Sequence, residues 1–271
     1  MRNVVSVIVD LANPGQFFAC CGLLELADRS WKGAEGWFSN DRFFLHASTR
    51  SDISPSLSEL LEELAAADLE QLNETDAAAS PMHLGSPFDL RLDWWQDRRA
   101  GGHQLKVWAG SMSGVRIAGA MKQAITADPS VERMFDTGTV VRDPADPKGK
   151  KKVEPFYFDA RRGAHAHPID IGFSPNVLDL ETICYPAVEF LCLVGLQRFR
   201  PRPADEQTRA GRSFEYTAWG FPLPPHGASA AVAGLMNGYP GSRVYRFTNV
   251  FRTDQRKHKA FGPGTLIKEH S

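Results

Sequence analysis

Two histidines one residue apart, His165 and His167, lie among Asp159, Arg161, Arg162 and Asp170. Imidazole is the side chain best able to take and return a proton near neutral pH. A pair beside a ribose 2′-hydroxyl can act as general base and acid, with Arg161 or Arg162 stabilising the charged phosphorane. The same His-x-His spacing on a strand would turn both rings to one side, an arrangement that suits a metal ion. Gly, Ala and Pro surround the pair, however, and in such a loop histidines are more often structural or simply exposed. No G-x-S-x-G elbow is present, so Ser/His/Asp hydrolysis lacks its nucleophile. Gly110-Ser111-Met112-Ser113-Gly114 offers backbone N–H groups ahead of a helix. No Walker lysine follows a second glycine, and an ordinary capped turn is expected there. These motifs point to no catalytic residue, no metal and no cofactor.

Binding to nucleic acid is better supported. It needs bases for phosphates and aromatic rings for unpaired nucleobases. Residues 1–141 hold 12 Lys+Arg against 19 Asp+Glu, and residues 142–271 hold 19 against 13, which leaves the whole chain at −1. The basic half is the half expected to meet a polyanion. Its candidates for phosphate contact are Arg161 and Arg162, then Arg198, Arg200 and Arg202, then Arg246, Arg252, Arg256 and Lys257. Lys150, Lys151 and Lys152 add a cluster in the loop 142–152. Phe156, Tyr157, Tyr245 and Phe247 are interleaved with these bases, although a core role suits such rings equally well.

The elements that must position these groups follow from periodicity. At 271 residues and 42% hydrophobic, the chain can bury a sizeable core. Val4–Leu11 reads as a strand, and Phe17–Trp31 has helical spacing. Gly22 inside that helix costs about 1 kcal/mol relative to Ala, a cost to be offset by close packing on a sheet. Trp37-Phe38 and Arg42–Ala47 form a hairpin about Ser39-Asn40-Asp41. Leu57–Leu72 is an acidic helix, within a stretch from Asp52 to Asp76 that carries eight acids and no base. It is expected to face solvent, or a basic neighbour. The alternation in Phe88–Trp95 and Gln104–Ala109 predicts a second hairpin, followed by a helix over 111–125. Phe156-Tyr157-Phe158 is a strand candidate. The most apolar helix spans Glu181–Phe199, with Pro186 at a kink or at its true start. Phe214–Phe221 and Arg243–Phe251 are strands, and Ala228–Met236 is a short helix. In Arg243–Phe251 the apolar set is Val244, Tyr245, Phe247 and Val250, with Arg243, Arg246 and Asn249 opposite.

The fold class this predicts is α+β, with antiparallel sheets and packed helices in a single domain over 1–271. A soft division near 128–154 separates the acidic from the basic half. The opening order of strand, helix, strand, strand is compatible with a ferredoxin-like, RNA-recognition-like core of the RAMP type. Four cysteines without a C-x-x-C pair suit a reducing, cytoplasmic setting. The first residues read as a strand and turn rather than a signal peptide. No apolar run of about 18 residues predicts a membrane span.

Several segments, taken in order, resemble one family. They are Asn13-Pro14-Gly15-Gln16-Phe17-Phe18-Ala19-Cys20-Cys21-Gly22-Leu23-Leu24-Glu25-Leu26-Ala27, Phe88-Asp89-Leu90-Arg91-Leu92-Asp93-Trp94-Trp95, Lys106-Val107-Trp108-Ala109-Gly110 and Pro155-Phe156-Tyr157-Phe158-Asp159-Ala160-Arg161. Ile171-Gly172-Phe173-Ser174-Pro175, Gly195-Leu196-Gln197-Arg198-Phe199-Arg200-Pro201 and Lys259-Ala260-Phe261-Gly262-Pro263 complete the set. Their order resembles the Csb-group subunits of type I-U (I-G) CRISPR effector complexes. The resemblance implies a non-catalytic component of an RNA-guided surveillance complex in antiviral defence. Guide RNA, target DNA and other type I CRISPR effector subunits are its implied partners, with no membrane. The alternatives are a guide-RNA-processing endoribonuclease using His165 or His167, and a protein-only scaffold subunit.

Overall fold

Asn13-Pro14-Gly15 starts the helix around which the other elements are arranged. The computed structural model describes residues 4–48, 54–73, 75–76, 79–110, 112–125, 130–163, 183–208, 211–236, 238–252 and 258–270; for residues 205–208 it gives the backbone alone. Strand β1 (Val5–Ile8) leads into helix α1 (Pro14–Ser30), then β2 (Ala34–Ser39) and β3 (Arg42–Ala47). Asn13 caps α1 through Oδ1, which accepts from Gly15 N–H at 3.1 Å, and Pro14 occupies the first turn, where no N–H partner is needed. The three strands form an antiparallel sheet in the order β1-β3-β2, and Asn40 turns the hairpin with φ +53°. Val7, Phe38, Phe43 and Leu45 alternate onto its buried face.

Helix α2 (Leu57–Ala66) follows, capped by Ser56. Leu57, Leu60, Leu61 and Leu64 face inward, while Glu59 and Glu62 are exposed. It is shorter than its acidic pattern predicts, because residues 69–71 form β4 (Leu69–Gln71) instead. Strands β5 (Met82–Leu84) and β6 (Leu90–Leu92) complete a small antiparallel sheet, β4-β5-β6. The hairpin expected over 88–109 does not form. Strand β6 pairs with β5, and the chain then enters a 3-10 turn at Trp94–Gln96 and the short helix α3 (Gly102–Leu105). The apolar alternation there serves the burial of Trp94 and Trp95 rather than a ladder. Helix α4 (Gly114–Gln123) is capped by Ser113, whose Oγ accepts from Arg116 N–H at 3.3 Å.

A 3-10 segment (Val131–Asp136) lies against β1, and the one-turn helix α5 (Ala160–Gly163) comes before α6 (Pro186–Gly195). Pro186 marks the true start of α6. Phe156-Tyr157-Phe158 is buried but is not a strand, since Tyr157 takes φ +72° and breaks the extended run. Strands β7 (Arg202–Thr208) and β8 (Gly211–Ala218), helix α7 (Pro225–Val232), and strands β9 (Arg243–Phe251), β10 (Lys259–Phe261) and β11 (Thr265–Glu269) end the chain. They build the third sheet, β10-β9-β8-β7, with β11 also on β9. All three sheets are antiparallel. The order β1-β3-β2 matches three of the four strands of a ferredoxin-like sheet. Among the described residues no strand extends it beside β1, because α2 passes into a separate sheet.

One hydrophobic cluster runs from Val7 to Phe261. Its centre is the crossing of α1 and α6. A Cβ on Gly22 would lie 2.1 Å from the Leu191 carbonyl oxygen, and one on Gly195 would lie 2.0 Å from that of Phe18. The glycine in α1 therefore meets a second helix, not a sheet as its placement suggested. Phe17 lies between two sheets, with its ring 5.1 Å from that of Phe38 and 4.4 Å from that of Tyr216. Trp219 ties the sheets together, its Nε1 donating to Gly36 C=O at 2.7 Å.

The crossing gives a sharp test. Gly22→Ala should lower stability by about 3 kcal/mol or more, because the backbone it meets cannot move aside. Gly119→Ala, in α4 with no neighbour within 4 Å of the added carbon, should raise stability by about 0.5–1 kcal/mol. Urea unfolding of both variants measures the contrast, and equal effects would refute the close crossing.

Candidate nucleic-acid interface

The polar knot around Asp159 is internal. Asn13, Asp159 and Glu189 are at most 2% exposed. Asn13 Nδ2 donates to Asp159 Oδ1 at 2.8 Å, and its Oδ1 also accepts from Ala160 N–H at 3.1 Å. Glu189, in the first turn of α6, accepts from Phe158 N–H and Asp159 N–H, both at 3.1 Å. The segment 158–160 is thus bonded to the beginnings of both α1 and α6, where a carboxylate also suits the helix dipole. Burial pushes the Glu189 carboxyl up to about 7, against the pull of the two backbone donors. Asp159 is fully engaged here. His165, His167 and Asp170 lie outside the described residues, as do Arg256 and Lys257.

Arg161 belongs to the same knot. It donates to Asp159 Oδ2 at 2.7 Å, Asp136 Oδ1 at 3.0 Å and Phe135 C=O at 2.6 Å, and stacks 3.5 Å from the Tyr185 ring centre. Burial weakens its charged form, but the bonds from Asp159 outweigh that and raise its pKa. Arg198 and Arg29 both grip Glu25, which is 1% exposed, at 2.5 and 2.9 Å. Burial alone would raise the Glu25 carboxyl; the bonds from Arg198 and Arg29 hold it below its usual range. Arg200 donates to the carbonyls of Trp94 and Gln197, each at 3.4 Å, and lies 3.9 Å from Asp97. Arg202 and Arg246 flank Glu215, the latter at 2.7 Å. Five of the expected phosphate ligands therefore hold acids or carbonyls of the protein itself.

The loop lysines are placed differently. Asp146 accepts backbone N–H bonds from Lys148, Lys150 and Lys151, which folds 142–152 into a closed turn with Lys150 and Lys151 exposed. Lys151 Nζ lies 3.7 Å from Asp143, and Lys152 pairs through its backbone with Arg142.

Arg162 and Arg252 come together on Tyr157, their guanidinium carbons 5.6 and 3.2 Å from its ring centre. The Tyr157 hydroxyl donates to Glu154, and burial together with that acid pushes its pKa up to about 12. Burial also lowers the Arg252 pKa. Nε of each arginine is buried with no hydrogen-bond partner among the described residues. Arg252 directly follows β9, and its N–H donates to His258 C=O at 2.8 Å. Lys259 opens β10 opposite Phe251, and Arg212, the second residue of β8, is opposite Asn249 at the same end of the sheet. Lys259 Nζ lies 5.6 Å from the Phe251 ring centre, and burial lowers its pKa. Sequence reasoning did not select Arg212, Phe251 and Lys259 as a group. It also set Asn249 opposite Phe247, whereas Asn249 is 1% exposed on the face it shares with Phe247, and Val250 turns outward. An Asn between Phe247 and Phe251 at strand spacing was the available signal.

The four cysteines are free and buried. No helix among the described residues is long and apolar enough to cross a membrane. Comparison of the chain with protein-family models, with curated proteins and with solved structures returns no match.

Two measurements test the buried groups. Glu189 holds a proton in the folded state that the unfolded chain releases above its ordinary pKa of 4.5. Its contribution to stability is complete below that value and is lost as pH rises to about 7, with little further change above. Glu189→Gln should flatten this slope in unfolding titrations between about pH 5 and 8, and an unchanged slope would assign it elsewhere. Arg198→Ala should cost about 3 kcal/mol by stripping a partner from buried Glu25. Arg202→Ala, which removes a half-exposed arginine from buried Glu215 while Arg246 stays in place, should cost about 1 kcal/mol or less. Denaturant midpoints in the reverse order would contradict this placement of the charges.

Proposed function

We propose that the protein is a non-catalytic subunit of a type I CRISPR RNA-guided surveillance complex. In this reading it holds an unpaired stretch of guide RNA or target DNA beside other effector subunits. The observation that supports it is the gathering of Arg162, Arg252, Arg212 and Lys259 at one end of the third sheet, with Phe251 half-buried beside them and Tyr157 buried beneath the first two arginines. Single strands are bound by this combination, in which cations track the phosphates and rings meet the bases. The resemblance of the ordered motifs between Asn13 and Pro263 to that family supports the same reading. Arg161, Arg198, Arg200, Arg202 and Arg246 then serve as the framework behind the binding surface. Lys150 and Lys151, exposed on a closed turn, suit phosphate contact that needs charge but little fixed geometry.

Binding of a short single-stranded RNA by the full chain should weaken steeply with salt. Arg162→Gln combined with Arg252→Gln should make the log–log slope shallower by about 1.4, at about 0.7 per lost phosphate contact. Fluorescence anisotropy at several salt concentrations measures both, with thermal melting to show that the variant is folded. Affinity independent of salt, or a folded double variant with the wild-type slope, would sink the reading.

A further inference from the structure

Five arginines of the basic half, Arg161, Arg198, Arg200, Arg202 and Arg246, each donate from the guanidinium to an acid or a carbonyl of the protein. The guanidinium groups of Arg162 and Arg252 donate to no acid or carbonyl among the described residues. Nε of each is buried, but the terminal Nη groups are not. Both residues are half-buried, so these outer donors lie at the surface.

The two charges are also brought together. They share the Tyr157 ring, with their guanidinium carbons 5.6 and 3.2 Å from its centre. No more than the sum of these distances separates them, a span that one phosphate between two guanidiniums can bridge. Burial is the larger cause of the lowered Arg252 pKa, and the charge of Arg162 adds to it; Tyr157 and Glu154 act in the opposite sense. Glu154 is one acid against two bases, and its carboxylate already accepts from the Tyr157 hydroxyl. The ring itself is fixed at a cost. Tyr157 takes φ +72°, a strained conformation for a bulky residue, and Phe261 N–H donates to its carbonyl at 3.0 Å. Strain that the surroundings maintain in this way clusters at ligand clamps. Here it sets one ring beneath two cations.

The ligand that suits this pair must offer acceptors to both guanidiniums. A carboxylate has one negative charge and two oxygens, enough to engage one guanidinium fully. An internal phosphodiester also has one charge and two free oxygens. A phosphomonoester has three free oxygens and a charge of about −1.5 to −2 at pH 7, so it can serve both arginines. The geometry points to a clamp for a terminal phosphomonoester of the bound strand. Arg162 and Arg252 donate through Nη to its oxygens, and Tyr157 holds the two guanidiniums at the required spacing. The inference rests on the nucleic-acid reading above and names what these two arginines take from the strand, an end in preference to an internal phosphate.

The test uses the full chain and a five-nucleotide RNA with hydroxyl ends, with a 5′-phosphate, with a 3′-phosphate, and with the methyl diester of each phosphate. The wild type should bind one phosphorylated form about tenfold more tightly than the hydroxyl form, the worth of one further charge-assisted hydrogen bond. A preference for either end supports the clamp and identifies the terminus it receives. The matching methyl diester should lose most of the gain. Arg162→Gln and Arg252→Gln should each remove most of the preference. Should they fail to fold, Arg162→Lys keeps the charge without the planar fork, and it should still reduce the preference. Equal affinity of the wild type for all forms, with a steep salt dependence, would overturn the clamp and leave the nucleic-acid reading standing. A preference that survives intact in folded Arg162→Gln and Arg252→Gln would overturn the clamp as well. No binding of any form at low salt would overturn both readings.

Discussion

The crossing of α1 and α6 at Gly22 and Gly195 is the constraint on which the remainder of the molecule depends. Two helices whose backbones touch can present their N-termini to one short segment. That segment, 158–160, is bonded to Asn13 on one side and to Glu189 on the other. Gly15 belongs to the same arrangement, because a Cβ there would lie 2.3 Å from the Phe158 carbonyl oxygen. Side chains at these glycines would separate the helices and pull the knot apart. With the crossing in place, Phe17 and Phe18 reach Tyr216 and so anchor the third sheet on α1. The sheet end that carries Arg212, Phe251, Arg252 and Lys259 is located by this chain of contacts.

The distribution of charge follows from the same packing. Along the chain, acids outnumber bases in the first half and bases outnumber acids in the second. In three dimensions much of this imbalance is settled by contact between the halves. Glu25 meets Arg198, Asp136 meets Arg161, and Asp97 lies near Arg200. In the reverse direction, Arg116 of the first half meets Asp143 at 2.6 Å. The bases turned outward are therefore fewer than the sequence count implies. The arginines engaged internally hold acids that would be costly to bury alone.

The parts of the fold that were legible in the sequence are those with strong local periodicity. The α+β class, α1, the Asn40 hairpin, α4, α6 and strands β8 and β9 all follow from patterns within one element, with a cap at Ser113 and a start at Pro186. What could not be read was set by partners far away in the chain. Trp94 and Trp95 alternate like a strand, yet Trp94 Nε1 donates to Leu193 C=O at 3.0 Å and the segment coils to allow it. Tyr157 looks like the middle of a strand, but it turns out of one to meet Arg162 and Arg252. The candidate site was legible only in composition. Runs of arginine mark a basic half, but nothing local distinguishes Arg198, facing Glu25, from Arg252, facing Tyr157. That difference lies in which acids the tertiary fold brings within reach.

The knot at Asn13 also bears on how the chain acquires its fold. Asn13 and Asp159 bond across 146 positions, and Glu25 and Arg198 across 173. During synthesis α1 emerges long before the helix that covers it. An apolar helix with Phe17, Phe18, Leu23 and Leu24 must then wait with that face uncovered until residue 195 has been made. Contacts of such range slow folding and leave intermediates prone to association. The first half of the chain, released alone, lacks the partner that closes its core, so truncation between the halves yields two sticky fragments instead of two independent folding units.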